Sequence, residues 1–414
     1  MSRALTQAIR DIADERQLPW ELVREIFEES LKEAIARKMD LTGDIQIRVS
    51  ETTGDIRIVI TQKVVHRPKE PGEITLRQAR KYNPDAKVGD TIQISLAPED
   101  FPRSVVIVAK QLLLERIERE ERHRIAEEYR KKVGTLVAGT VQKIDRYNIL
   151  VNLGDAEAIL PVSEEIPGEH GYFRQGGNIR AVVLRVDEKD NIILSRTHPS
   201  FLKRLMEFEI PEIADGVVEI KAIARIPGKR AKVAVASNDP KVDPVGACVG
   251  NKGWRIKPIV KELQGEKIDV LQWSDELVVL VSRALSGARI ITQKVDNERK
   301  EITVVIEPED LPKAIGKNGQ NAYLASRLVD YDIDIFSPEE YERESVLNIA
   351  EFTDDIKGRL VKHNLFTARA ILRNEDDLRE MGEFTDEELK FIFTIAEKIE
   401  NEVRQLKLKG VPSE

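Results

Sequence analysis

Two short stretches of this sequence combine residue types that can hold a phosphate. The first reads Gly250-Asn251-Lys252-Gly253, and the second, 66 residues later, reads Gly316-Lys317-Asn318-Gly319. Paired glycines around two polar residues permit a turn whose backbone comes close to another backbone. A turn of this kind ahead of a helix points the helix's free N–H groups outward, where they attract an anion. Lys252 and Lys317 add a positive charge to each turn, and Arg255 extends the first. The chemistry implied is binding of a phosphate backbone, with no bond made or broken. A helix C-cap uses similar glycines, so the surroundings must decide.

Those surroundings repeat. A short Pro-initiated apolar run precedes each turn, Pro244 to Val249 and Pro308 to Ile315. A helical period comes after each: Ile256, Ile259, Val260 and Leu263, then Ala322, Leu324, Ala325 and Leu328. A short strand closes each unit, Lys267 to Leu271 and Tyr331 to Phe336. Upstream, the first unit adds a helix near Leu202 to Phe208 and strands Val217 to Ile226 and Arg230 to Ala236. The second adds a helix Asp275 to Leu285 and strands Arg289 to Val295 and Glu301 to Ile306. Helix, strand, strand, helix, loop, helix, strand resembles the bacterial KH domain, whose glycine loop clamps the backbone of a single strand. With almost no linker at Trp273 to Asp275, a rigid tandem with one continuous RNA path is expected.

Composition narrows the alternatives. A chain of 414 residues predicts about three domains. Cys248 is the only cysteine, which leaves no intrachain disulfide and no cysteine-based zinc site; it reads as a small core residue. The five histidines have no paired ligand spacing, and no P-loop is present, so no catalytic residue, metal or cofactor is expected. No apolar run approaches the ~18 residues of a membrane span, and no signal-peptide profile is seen, so a cytoplasmic protein is expected. The net charge of −8 is concentrated at the C-terminal end, where residues 337–414 carry 12 basic and 19 acidic side chains. In the middle, Lys221, Arg225, Lys229, Arg230 and Lys232 form one run of cations without an acid, and Lys252, Arg255, Lys257 and Lys261 form another. Such runs supply salt-sensitive attraction to nucleic acid, or else solvate ordinary faces.

Residues 1–130 read as an α+β domain. Leu5, Ile9 and Ile12 precede a break at Leu18-Pro19, and Trp20, Val23, Ile26, Phe27, Leu31 and Ala34 form an amphipathic stripe. Next come a hairpin turning at Thr53-Gly54-Asp55, a strand Thr91 to Leu96 and one long helix from Pro102 to Lys132, with Ile107, Val108, Leu112, Leu113 and Ile117 expected to face a core. Residues 131–198 contain five short strands, the pattern of a small OB barrel. Gly134 to Val141, Ala158 to Pro161 and Ile193 to Arg196 resemble the ribosomal-protein-S-one type, which implies RNA contact through Lys143, Arg146, Tyr147, Arg185 and Arg196. Ile149, Val151 and Ile159 stand where aromatics are usual in that type. Residues 338–414 read as short acidic helices ending in a long one from Asp386 to Leu406, capped by Thr385 and Glu388. Glu380, Glu383, Asp386 and Glu387 surround its hairpin and would repel phosphate, so a protein contact is expected there.

The order of parts resembles the NusA family of bacterial transcription elongation factors. Asp243 to Gly253 with Gly265 to Val270, and Ala314 to Asn321 with Leu324 to Ser326, carry the resemblance. It implies a multidomain α+β chain: an N-terminal polymerase-binding domain (1–130), a five-stranded OB barrel (131–198), two tandem bacterial-type KH domains (199–274 and 275–337) and a small all-α C-terminal domain (338–414). It adds Gln320 and Asn321 to the implied RNA contacts. It also implies RNA polymerase core, nascent single-stranded RNA and other Nus antitermination factors as partners, with no membrane contact. The expected role is modulation of pausing, termination and antitermination by a non-enzymatic protein that is monomeric when free. The alternative is another RNA-binding protein, acting in ribosome assembly or RNA decay with the same modules.

Overall fold

The computed structural model describes residues 2–39, 44–49, 56–70, 72–96 and 101–409. Two compact units are present. One comprises residues 1–133 with 154–157 and 185–192, and the other residues 134–153, 158–184 and 193–414.

In the first unit, helices α1 (Ser2–Glu15) and α2 (Trp20–Met39) are separated by the break expected at Leu18-Pro19, where Gln17 takes a left-handed φ of 51°. Strands β1 (Asp44–Val49), β2 (Ile56–Val65), β3 (Glu73–Thr75) and β4 (Thr91–Leu96) form one sheet, with β2 bonded to the other three. Alternation along β2 puts Ile56, Ile58, Ile60 and Val64 into the core. The short β3 and the turn of helix α3 (Leu76–Ala79) behind it, built on a Thr75–Gln78 capping box, were not legible as periodic segments. The expected turn at Thr53-Gly54-Asp55 lies outside the described residues. Helix α4 (Arg103–Lys131) buries Val105, Ala109, Leu113 and Ile117, a four-residue spacing that lines one face. Ile107 falls outside that spacing and is exposed, contrary to expectation. Arg116 bonds Glu29 and Glu33 of α2 at 3.1 and 2.6 Å, tying the two helices together.

Strands β5 (Leu136–Ile144), β6 (Asn148–Asn152), β7 (Glu157–Pro161), β8 (Asn178–Val186) and β9 (Ile192–Ser195) close into a barrel in the order β5-β6-β7-β9-β8. Closure brings β5 so near β6 that a methyl group at Gly139 would stand 2.6 Å from the Asn152 carbonyl. Ile149, Val151, Ala158 and Leu160 fill the interior.

The repeat then appears as two copies of one fold. The first holds α5 (Pro199–Glu209), the turn α6 (Pro211–Ala214), β10 (Val218–Ile226), β11 (Arg230–Ser237), α7 (Pro244–Val249), α8 (Ile256–Glu262) and β12 (Lys267–Gln272). The second holds α9 (Leu277–Ala284), β13 (Ile290–Asp296), β14 (Glu301–Ile306), α10 (Leu311–Ile315), α11 (Gln320–Val329) and β15 (Asp332–Phe336). In each sheet the first two strands are antiparallel and the last is parallel to the middle one. The inner face of the first sheet packs on α5, α7 and α8 through Val233, Val235, Phe201, Leu205 and Ile259, with Cys248 at the centre. Burial pushes the Cys248 thiol up to about 12.

Both outer faces are covered by later segments of the chain. Ala222, Ala224 and Ala234 line the outer face of the first sheet, and their small side chains let α11 of the second copy lie close. The C-terminal helices are α12 (Pro338–Glu344), α13 (Asp354–Lys362), α14 (Ala368–Arg373), α15 (Glu375–Glu380) and α16 (Asp386–Lys409), and the second sheet meets this region through α12, α14 and α15. This second contact is polar. Arg373 bonds Asp334 at 2.8 Å and Glu301 at 3.3 Å, and Arg299 bonds Asp377 at 3.2 Å. Lys294 lies 4.1 Å from the centre of the Phe366 ring, and Arg369 4.6 Å from that of Phe336.

Candidate nucleic-acid interface

The two glycine turns are built alike in the backbone. In the first, Asp243 caps α7 by accepting from the N–H groups of Val245 and Gly246, and Pro244 begins the helix. Gly250 ends it with φ 71° and ψ 171°. Gly316 ends α10 with φ 71° and ψ 174°. That region of backbone space is open to glycine almost alone. In each turn the N–H of the second glycine donates to the carbonyl of the first at 3.1 Å. The third residue is left-handed in both, Lys252 at φ 53° and Asn318 at φ 54°. The lysines therefore occupy different places: Lys252 sits at the left-handed position, and Lys317 one residue earlier. Asn251, Lys252, Lys317 and Asn318 are all exposed.

The residues just beyond support the turns from behind. Asn321 is 1% exposed. Its amide donates to the carbonyls of Lys313 and Ala314 at 3.1 and 2.9 Å, and its oxygen accepts from Ser286. It thus locks α11 to α10 and meets almost no solvent. Gln320 opens α11, half-buried. Arg255 donates to Glu212 at 2.8 Å and to the Ala247 carbonyl at 2.7 Å. Its charge is spent inside the protein, and it holds Glu212 below the usual carboxylate range.

On the barrel, Arg146 and Tyr147 stand in one exposed turn, and Lys143 is exposed near the end of the strand β5 that leads into it. The Asp145 carboxylate accepts from the N–H groups of Tyr147 and Asn148, both at 2.9 Å, which fixes the turn and lowers the acid's pKa. The Arg146 guanidinium lies 5.5 Å from the centre of the Tyr147 ring. Arg185 is exposed on β8. Arg196 is different: it is 2% exposed and bonded to Glu169 at 2.9 Å, to Glu262 of α8 at 2.8 Å, and to the Glu262 carbonyl. It joins the barrel to the helix behind the first turn.

Four of the five cations in the run around β10 and β11 are paired with nearby acids, most of them distant in sequence, while Lys229 is exposed. Arg225 pairs with Glu266 at 2.8 Å, Arg230 with Asp269 at 2.6 Å, Lys232 with Asp269 at 3.4 Å, and Lys221 with Glu219 at 2.7 Å. Lys232 is buried, and desolvation lowers its pKa. By contrast, Lys257 and Lys261 of α8 and Lys313 of α10 are exposed beside the turns. Exposed lysines thus flank both glycine turns, whereas most cations of the run on the sheet are paired. Two exposed rings also stand there, Trp254 just after the first turn and Tyr323 just after the second.

Comparison with known proteins finds four family models along the chain. Residues 196–273 match the NusA-like first KH domain and residues 277–343 the NusA-like second KH domain. Residues 130–197 match the S1 RNA binding domain and residues 4–123 the NusA N-terminal domain. The chain is 38% identical over 341 residues to the transcription termination/antitermination protein NusA of Bacillus subtilis (strain 168), across 81% of this chain and 91% of that protein. The chain belongs to the NusA family. Proteins of the same description from Halalkalibacterium halodurans and Thermus thermophilus are each 37% identical, over 84% and 80% of this chain and 91% and 89% of theirs. Among the described residues no helix is long and apolar enough to cross a membrane, and no cluster of His, Cys, Asp and Glu could hold a metal ion.

Proposed function

We propose that this chain is a non-enzymatic transcription termination and antitermination factor that grips single-stranded RNA on its twin glycine turns. One observation carries the reading. Two turns of matching backbone, each begun by a glycine in a conformation other residues avoid, present exposed polar residues with exposed lysines nearby. Asn251, Lys252, Lys317 and Asn318 contact the phosphates, and Lys143, Arg146 and Tyr147 of the barrel add a second contact. Asn321, Arg255 and Arg196 act indirectly, by positioning the helices that flank the turns.

The relatives are named for termination and antitermination, which favours this role over ribosome assembly or RNA decay. RNA polymerase core is the protein partner we assign to residues 1–130. Ile107 and Leu114, seven residues apart on one face of α4, are exposed with Val106 beside Ile107, and these apolar side chains supply a surface for it. Other Nus factors complete the partner set, and the free protein is a cytoplasmic monomer. The test is transcription on a template with a hairpin pause, using purified polymerase. The wild-type chain lengthens the pause. Glutamates at Val106, Ile107 and Leu114 abolish both the effect and co-purification with polymerase core. Co-purification at wild-type strength would move the contact elsewhere.

A further inference from the structure

Each glycine turn carries an exposed aromatic ring on its C-terminal side, and the contacts assigned so far use neither. Trp254 directly follows Gly253 and is 61% exposed. Its indole lies across the first glycine of its own turn: a methyl at Gly250 would stand 2.8 Å from Nε1 and 2.9 Å from Cδ1. The Arg255 guanidinium is 5.1 Å from the ring centre and is itself fixed by Glu212 and the Ala247 carbonyl. The indole is therefore seated on fixed groups beside the exposed Lys252. Tyr323 stands one helical turn beyond Gly319, on α11, and is 50% exposed. Arg327, a further turn along, lies 5.6 Å from its ring centre. The neighbouring Asn321, Leu324, Ala325 and Leu328 are buried on the other side of the helix.

A single exposed aromatic is ordinary on a protein surface. Here one ring stands beside each phosphate-seating turn, at unlike sequence positions, and each has an arginine against it. Packing accounts for neither ring, because half or more of each is in water. Where a turn holds a phosphate, the attached base falls within reach of a side chain a few residues away, and an aromatic face is what a base stacks on.

We propose that Trp254 and Tyr323 are stacking platforms for nucleobases of single-stranded RNA whose phosphates cross the adjoining glycine turns. This rests on the RNA reading of those turns. Stacking accepts any base and adds affinity that salt does not remove, whereas phosphate contacts weaken with salt.

The test uses the full chain and an oligoadenylate dodecamer, with affinity measured across a salt series. Trp254→Ala and Tyr323→Ala each weaken binding about ten-fold and leave the salt slope unchanged. Trp254→Phe and Tyr323→Phe bind close to wild type. The oligonucleotide quenches indole emission in the wild-type chain, and Trp254→Phe loses that quenching while Trp20 and Trp273 still emit. The double variant Asn251→Asp with Lys252→Asp serves as the reference, losing affinity with a shallower salt slope. Alanine variants that bind at wild-type strength, while the reference variant fails, overturn stacking and leave the turns intact as an RNA site. If the reference variant also binds normally, both readings fall. A Phe variant as weak as its Ala counterpart, with a lowered thermal midpoint, would make the ring structural and likewise overturn the proposal.

Discussion

At the scale of single residues, two glycines decide the shape of the turns on which the proposed interface rests. Gly250 and Gly316 share a backbone conformation that a Cβ strains, and each also lacks room for one. A methyl would meet the Trp254 indole at 2.8 Å in the first and Asn321 Cβ at 2.7 Å in the second. Gly250→Ala or Gly316→Ala is expected to destabilise its unit by roughly 1–3 kcal/mol, visible as a lowered thermal midpoint, and to weaken RNA binding with it. The Asp substitutions at Asn251 and Lys252 should leave the midpoint unchanged, because both side chains are exposed. A midpoint unchanged in the alanine variants would show that the turn relaxes freely. These glycines were legible in the sequence because a G-x-x-G pattern seldom recurs in matched surroundings by chance. The roles of Arg255, Arg196 and Asn321 were not. Nothing local marks them as inward-facing: Arg255 meets Glu212 from 43 residues away, and Arg196 meets Glu262 from 66.

At the scale of elements, the outer faces of the two KH sheets account for much of the remaining organisation. The first is lined by alanines and takes an apolar helix. The second presents Glu301, Asp334 and Lys294 and takes a helix bearing Arg369 and Arg373. Alternation made these strands readable, but it did not say what covers their second faces. The same limit applied to the cation run from Lys221 to Lys232, whose acids Glu266 and Asp269 arrive with a parallel strand. Removing a charged hydrogen-bond partner costs roughly 1.5–3 kcal/mol. Arg373→Ala should therefore loosen α14 from β15, read as faster amide exchange at Asp332–Phe336. Unchanged exchange would mean that the Phe336, Tyr341 and Arg369 contacts suffice.

The cap of α16 gives a pH prediction. Thr385 and Glu388 form the capping box the sequence predicts, with the Thr385 N–H donating at 2.8 Å, and Arg359 adds a bond at 2.7 Å. Together, Arg359 first and then the Thr385 N–H, they hold Glu388 down to about 2. A carboxyl with a lowered folded-state pKa stabilises the fold above its ordinary value of ~4.3 and loses that contribution as pH falls through the folded value. The C-terminal helices should weaken between about pH 4.3 and 2, and Glu388→Gln should flatten that part of the stability profile. Equal slopes in the two proteins would place the acid sensitivity elsewhere.

At the scale of the whole molecule, charge is distributed in a way the composition hides. A chain of net charge −8 makes a poor candidate for binding RNA until its cations are sorted into paired and free. Arg225, Arg230, Lys232, Arg255 and Arg196 are consumed by internal carboxylates. Lys252, Lys257, Lys261, Lys313 and Lys317 are left in solvent around the two turns. Domain order was readable from motif spacing and turn residues. The docking of the second KH unit on the outer face of the first was not, since it depends on Ala222, Ala224 and Ala234, whose significance is their smallness. The most direct measurement is the affinity of the full chain for a single-stranded RNA across a salt series, beside the paired Asp variants at Asn251/Lys252 and at Lys317/Asn318. Binding that weakens with salt, and that each pair reduces at an unchanged thermal midpoint, is the predicted result. Binding at wild-type strength in both variants would contradict it, and would reduce the glycine turns to ends of helices.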